Sequence, residues 1–162
     1  MTKNVLNNSL IAGAVIFYAS FSAITYAHGN EVHETNKSMF AGLELAPAKT
    51  VMAFHRALQQ SNKIAARATL ADDVLIFEGA AERSADEYAN HHMLADMKFL
   101  AHMTSTLLEQ QVYEIGDLAY SVARKRTQGE YKDKILDYIG FETIVLKKVD
   151  NVWKITHIHW SK

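Results

Sequence analysis

Val152-Trp-Lys-Ile-Thr-His-Ile-His-Trp160 closes the chain in alternation. Read as a strand, it puts Trp153, Ile155, His157 and His159 on one face. Val152, Lys154, Thr156, Ile158 and Trp160 take the other, because successive side chains point to opposite sides. The preceding Gly140-Phe-Glu-Thr-Ile-Val-Leu-Lys-Lys-Val149 reads as a second strand, and Asp150-Asn151 suits a two-residue hairpin turn. That turn sets a register in which Val149 faces Val152, Leu146 faces Ile155, Ile144 faces His157 and Glu142 faces His159. The expectation is a polar group of Glu142, His157 and His159 at one end of a wall of Ile144, Leu146, Trp153 and Ile155. A loop one residue longer would flip the register and break the grouping.

At the other end, Lys3 is the only charge before Leu10-Ile-Ala-Gly-Ala-Val-Ile-Phe-Tyr-Ala19, and Thr25-Tyr26-Ala27 resembles a cleavage site. This is the layout of a secretory signal peptide over residues 1–27, with a periplasmic or secreted mature protein. An uncleaved membrane anchor is the competing reading. What remains after Ala27 has the size of one domain. The chain carries 17 Lys and Arg against 18 Asp and Glu, which points to neither nucleic acid nor an anionic membrane surface as partner. Cys is absent, so the fold rests on its core without disulfides. Residues 28–46, with no sustained periodicity, read as a flexible leader before a domain spanning 47–162.

Pro47 suits the first turn of a helix in which Val51, Phe54, His55 and Leu58 recur at helical spacing. A second short helix covers Asn62 to Leu70, and Val74-Leu-Ile-Phe-Glu78 reads as a buried strand ending at Gly79. Ser84-Ala-Asp-Glu87 is a capping box that opens a helix running to about Met103. On that helix Tyr88, His92, Ala95, Phe99 and Met103 share a stripe, with Asp96 one turn from His92. Thr106 to Ile115 and Leu118 to Thr127 flank Gly116-Asp117 as a hairpin, with Glu109 opposite Arg124. Gln128-Gly129-Glu130 is read as the next turn, before a strand from Lys134. Helix, helix, strand, helix and four antiparallel strands make an α+β domain with its helices against one sheet face.

This order, together with Phe54-His-Arg-Ala-Leu58, Leu75-Ile-Phe-Glu-Gly79, Val112-Tyr-Glu-Ile-Gly-Asp-Leu-Ala-Tyr120 and Trp153-Lys-Ile-Thr-His-Ile-His-Trp-Ser161, resembles the nuclear-transport-factor-2-like (NTF2-like) superfamily. Within it the chain is similar to SnoaL-like and related small bacterial domains, over Pro47 to Ser161. The resemblance implies a curved antiparallel sheet wrapped by three helices into a cone, a ligand held in the cone, and dimerisation through the outer sheet face. Members include isomerases, dehydratases and cyclases, proteins that only bind small molecules, and association domains. Steroid-isomerase-like members pair an Asp base with a Tyr donor, and no spacing here fixes such a pair. Dehydratase-like members use His with Asp and Tyr, types supplied by His92, Asp96 and Tyr88.

Three chemistries follow for the cavity. The first is binding of a small molecule by Tyr88, Phe99, Trp153, Glu142, His157 and His159, a mostly apolar surface with few orienting groups. The second is acid–base catalysis by a lyase or isomerase, with His92 and Asp96 as the catalytic pair, or His159 with Glu142. The third is a transition-metal ion on His157 and His159, with Glu142 or His92 as a further ligand. Phe141 and Trp160 are expected to pair on the outer face beside Thr143 and Ile158, as the contact of a homodimer.

Overall fold

The computed structural model describes residues 38–162. The signal-peptide reading of residues 1–27, and residues 28–37 of the leader, lie outside the described residues. Along the chain come β1 (Phe40–Ala41), α1 (Ala46–Gln59), α2 (Lys63–Ala68), β2 (Leu70–Phe77), β3 (Ala81–Glu82), α3 (Ala85–Asn90) and α4 (His92–Leu100). Four long strands follow: β4 (Met103–Ile115), β5 (Leu118–Tyr131), β6 (Lys134–Val149) and β7 (Val152–Ser161). The seven strands of the described residues join one curved, open sheet in the order β1-β4-β5-β6-β7-β2-β3. The long strands form an antiparallel meander, and β2 lies parallel to β7. The end of the stretch read as a leader takes part, since Phe40 and Ala41 pair in parallel with Gln110 and Gln111.

Local chemistry explains the helices. Pro47 sits in the first turn of α1, where a missing N–H costs nothing, and Val51, Phe54, Ala57 and Leu58 form its buried face. The Asn62 side chain accepts from the Ala65 amide and starts α2. Ser84 accepts from the Glu87 amide at 3.1 Å, as the capping box requires, while the Glu87 carboxylate accepts from the Arg83 amide. The helix that follows is not continuous. Backbone at His91 (φ −117°, ψ −87°) leaves the helical region, and α4 restarts at His92. The break changes which residues face inward: Tyr88 and Ala89 are buried on α3, Met93 and Met97 on α4. The expected stripe through His92 and Ala95 does not form, and both residues are exposed.

Among the strands, the β4–β5 hairpin has the expected register, with Glu109 opposite Arg124 and Ile115 opposite Leu118. The turn expected at Gln128-Gly129-Glu130 is absent. Strand β5 runs through it, and the chain reverses at Lys132-Asp133, both in the left-handed region (φ 52° and 60°). Gly129 serves a close approach instead, because a Cβ there would fall 2.2 Å from the His102 carbonyl oxygen.

The final hairpin turns at Asp150-Asn151 as expected, with φ 48° and 62°. Its ladder then slips. Leu146 pairs with Ile155, but the next residue, Val145, pairs with His157, so Thr156 is an extra residue in β7. The Thr156 hydroxyl donates to the Val145 carbonyl at 3.3 Å across this bulge. Beyond it every pairing is shifted by one: Ile144 faces Ile158, Thr143 faces His159 and Glu142 faces Trp160. Ile158 therefore joins Phe54, Leu58, Leu70, Ile76, Ile144, Leu146 and Ile155 in the core.

Replacing Gly129 by Ala is expected to destabilise the fold by about 1–3 kcal/mol, the usual cost of forcing atoms into a packed site. Urea unfolding with an unchanged slope and a lower midpoint would confirm it. An unchanged midpoint would contradict the close approach of His102 to β5.

Candidate functional site

The bulge decides what surrounds Glu142. Its carboxylate is buried and meets an indole, not the imidazole expected from the hairpin: Trp160 donates from Nε1 to Oε2 at 2.7 Å. His55, from α1, brings Nε2 to 2.9 Å of Oε2 and 3.0 Å of Oε1. Lys125, from β5, places Nζ 3.3 Å from both oxygens and 2.9 Å from His55 Nε2. Burial alone would push the Glu142 carboxyl up. The charges of His55 and Lys125, with the hydrogen bonds from His55 and Trp160, overcome it and hold the group well below the ordinary carboxylate range.

A second polar group comes from α3 and α4. Tyr88 donates its hydroxyl to Asp96 Oδ2 at 2.7 Å. Burial, then the neighbouring Asp96 charge, pushes the Tyr88 phenol far above its usual range. The Asp96 carboxyl is raised by burial even though the Tyr88 bond and the charge of His92 work against the shift. Glu78, at the end of β2, is also raised, first by burial and then by the charge of Asp96. The Trp160 ring lies between the two groups, stacked 6.3 Å from Phe54 and tilted 6.4 Å from Tyr88.

Both groups border one cavity of about 710 Å³. His55, Lys125 and Glu142 line one part and Asp96 and Glu78 another, while Phe99, Leu100, Leu107 and Val51 supply apolar wall. Of the residues expected to act here, Glu142, Asp96 and Phe99 line the cavity, and Tyr88 reaches it through Asp96. The other expectations are corrected by the structure. Trp153 is buried in the core with Lys148 Nζ 4.7 Å above its ring, and it does not line the cavity. His92 pairs with the buried Glu82, not with Asp96, because the break at His91 turns it away. His157 and His159 lie across the sheet from Glu142. His157 sits 3.0 Å from the Leu75 carbonyl through Nδ1 and packs edge-on against Phe77. Trp160 and Ile158, expected on the outer face beside Phe141 and Thr143, are the residues that turn inward. Among the described residues no group of three or more His, Cys, Asp or Glu is placed to hold a metal ion.

Two members of the site had a signal in the sequence. His55 stands on the helical stripe of Val51, Phe54 and Leu58. Lys125 has the same strand parity as Ala119, Ser121 and Ala123, all buried, although Arg124-Lys-Arg126 as a run reads as a solvated edge.

Residues 48–162 match the SnoaL-like domain family. The chain belongs to that family. A candidate ketosteroid isomerase from Shewanella frigidimarina NCIMB 400 is 49% identical to this SnoaL-like protein, over 75% of its chain and 99% of the other, with a TM-score of 0.74. At lower identity the fold recurs in a candidate dehydratase of the NTF2-like family from Streptomyces avermitilis (16% identity, 72% and 92% of the two chains, TM-score 0.62). It recurs again in the association domain of C. elegans CaMKII (17%, 71% and 92%, 0.57). Among curated proteins none matches the chain. The SnoaL-like fold is thus the NTF2-like one that the element order resembles, with four helices among the described residues in place of three.

Glu142→Gln is expected to cost roughly 3–5 kcal/mol near neutral pH, because it strips the buried counter-charge from His55 and Lys125. The Glu142 carboxyl is lowered in the fold, so its contribution is present above the unfolded-state carboxyl range and is lost as pH falls through that range toward the folded value. The gap between wild type and variant should therefore narrow on acidification below about pH 4. Chemical denaturation at a series of pH values measures it, and a gap independent of pH would refute the assignment.

Proposed function

We propose that the protein binds a small, largely apolar organic molecule in its cavity. The observation that carries this reading is a space of about 710 Å³ with apolar walls and two separate polar groups. Ligand sites have that size and that economy of orienting groups. Native mass spectrometry of untagged protein, with thermal-shift screening of small aromatic and alicyclic compounds, tests it. A bound mass or a raised melting temperature is expected, while a screen without either would remove the reading.

A second reading, proton transfer by an isomerase or lyase, is favoured by Asp96. Its carboxyl faces the cavity, is anchored by Tyr88, and is raised toward working pH, which strengthens it as a base. The names given to the Shewanella and Streptomyces proteins agree with such chemistry. If an enolisable ketone or a β-hydroxy carbonyl compound is turned over, Asp96→Asn should lower kcat/KM by about 10²–10⁴-fold. Activity unchanged in Asp96→Asn would discard that role.

The metal reading has less support, since His157 and His159 offer two donors on the outer face. Homodimerisation through that face is supported by its exposed Leu75, Phe77, Leu118, Tyr120 and Phe141. The association-domain fold is consistent with it. Phe77→Glu should then halve the mass measured by light scattering, and a wild-type monomer would end the proposal. Export rests on the N-terminal sequence alone. Among the described residues no helix is long and apolar enough to cross a membrane. N-terminal sequencing of protein from the periplasm should begin at His28.

A further inference from the structure

Charge in the Glu142 cluster is sorted by depth. The Glu142 side chain is 3% exposed, whereas those of His55 and Lys125 are 23% and 24% exposed. The indole of Trp160 borders the cavity too, and of the charged groups the imidazole and the ammonium are the more exposed. A molecule in the cavity therefore meets hydrogen-bond donors, with the compensating acid set back. A buried ion pair kept only for stability has no such requirement, because apolar residues of similar volume commonly serve as well. Lys125 Nζ has three donors for three contacts, of which the two at 3.3 Å to Glu142 can share one N–H, and His55 has a second ring nitrogen, so the pair can still serve another acceptor. The acids elsewhere on the wall, Asp96 and Glu78, resist ionisation through burial and so oppose a ligand anion less than free carboxylates would. Arg56 and Lys162 also border the cavity, and both are exposed.

We infer that the cavity takes an anionic ligand: a small molecule with an aromatic or alicyclic body and one carboxylate, seated on Lys125 and His55. The body lies against Phe99, Leu100 and Leu107. This rests on the binding reading above and gives its ligand a chemical class.

Isothermal titration with 2-naphthoate and 2-naphthamide, alike in shape and different in charge, tests it. Wild-type protein at pH 7 should bind naphthoate about tenfold tighter or more, since a charge-assisted hydrogen bond is roughly twice as strong as a neutral one. Lys125→Met should weaken naphthoate about tenfold or more and naphthamide much less, so that the preference falls to within about twofold, and Lys125→Arg should restore it. Equal affinities on wild type would overturn the inference and leave the binding reading standing, and this comparison needs no variant to fold. Parallel weakening of both probes in Lys125→Met would also overturn it. Binding of neither probe to wild type would overturn the ligand class and count against the binding reading as well.

Discussion

Between Leu146 and Val145 the β6 strand advances by one residue while β7 advances by two, and Thr156 occupies the extra place. A strand has a side-chain period of two, so one inserted residue exchanges inner and outer faces for everything beyond it. The cavity exists in its present form because of that exchange. Ile158 is carried into the core and Trp160 comes to lie over Phe54, with its N–H aimed at Glu142. Without the bulge, Ile158 and Trp160 would face outward and two imidazoles would sit where the apolar core now closes.

The same step shapes the other surface. Strand β2 joins β7 in parallel with Leu75 beside His157 and Phe77 beside His159. The outer face thus gains two imidazoles flanked by apolar side chains, one of them fixed by the Leu75 carbonyl. A histidine needs less desolvation than a permanent charge and still offers polar contacts, which suits a face that is half-exposed. One extra threonine therefore sets the composition of both sides of the sheet.

Much of the architecture was legible in the sequence because it rests on local rules. The element order follows from periodicity, the Asp150-Asn151 turn from its tolerance of left-handed backbone, and the Glu109–Arg124 register from the length of the Gly116-Asp117 turn. The start of α3 follows from Ser84 and Glu87. What was not legible depends on tertiary context. A bulge such as that at Thr156 leaves the alternating pattern intact on either side, so the pattern alone assigns His157 and Trp160 to the wrong faces. The break at His91 has no Gly or Pro to announce it, and it reverses the fate of His92. Glu142 lines the cavity, but its partners come from α1 and β5, 87 and 17 residues away in sequence, beyond the reach of any hairpin argument. Lys125 was hidden by its basic neighbours, whose alternation, not their charge, is informative.

The two polar groups of the cavity place opposite demands on stability. Glu142 is held ionised, so its contribution is complete above the ordinary carboxyl range and is lost as pH falls through it toward the folded value. Asp96 and Glu78 are raised, so whatever they contribute is complete below that range and is lost as pH climbs through their folded values. Neither acidic nor alkaline conditions satisfy both groups, and a fold selected for stability alone has no reason to retain the conflict. Burying Asp96 and Glu78 near each other costs free energy that apolar residues would not cost, and Tyr88 only partly offsets it. Carboxyls kept difficult to ionise thus border the same cavity as a lysine and a histidine paired with a buried acid. The conflict is concentrated on the wall of one cavity, and perturbed carboxyls in a cavity are the expected mark of a working site in an otherwise well-packed domain.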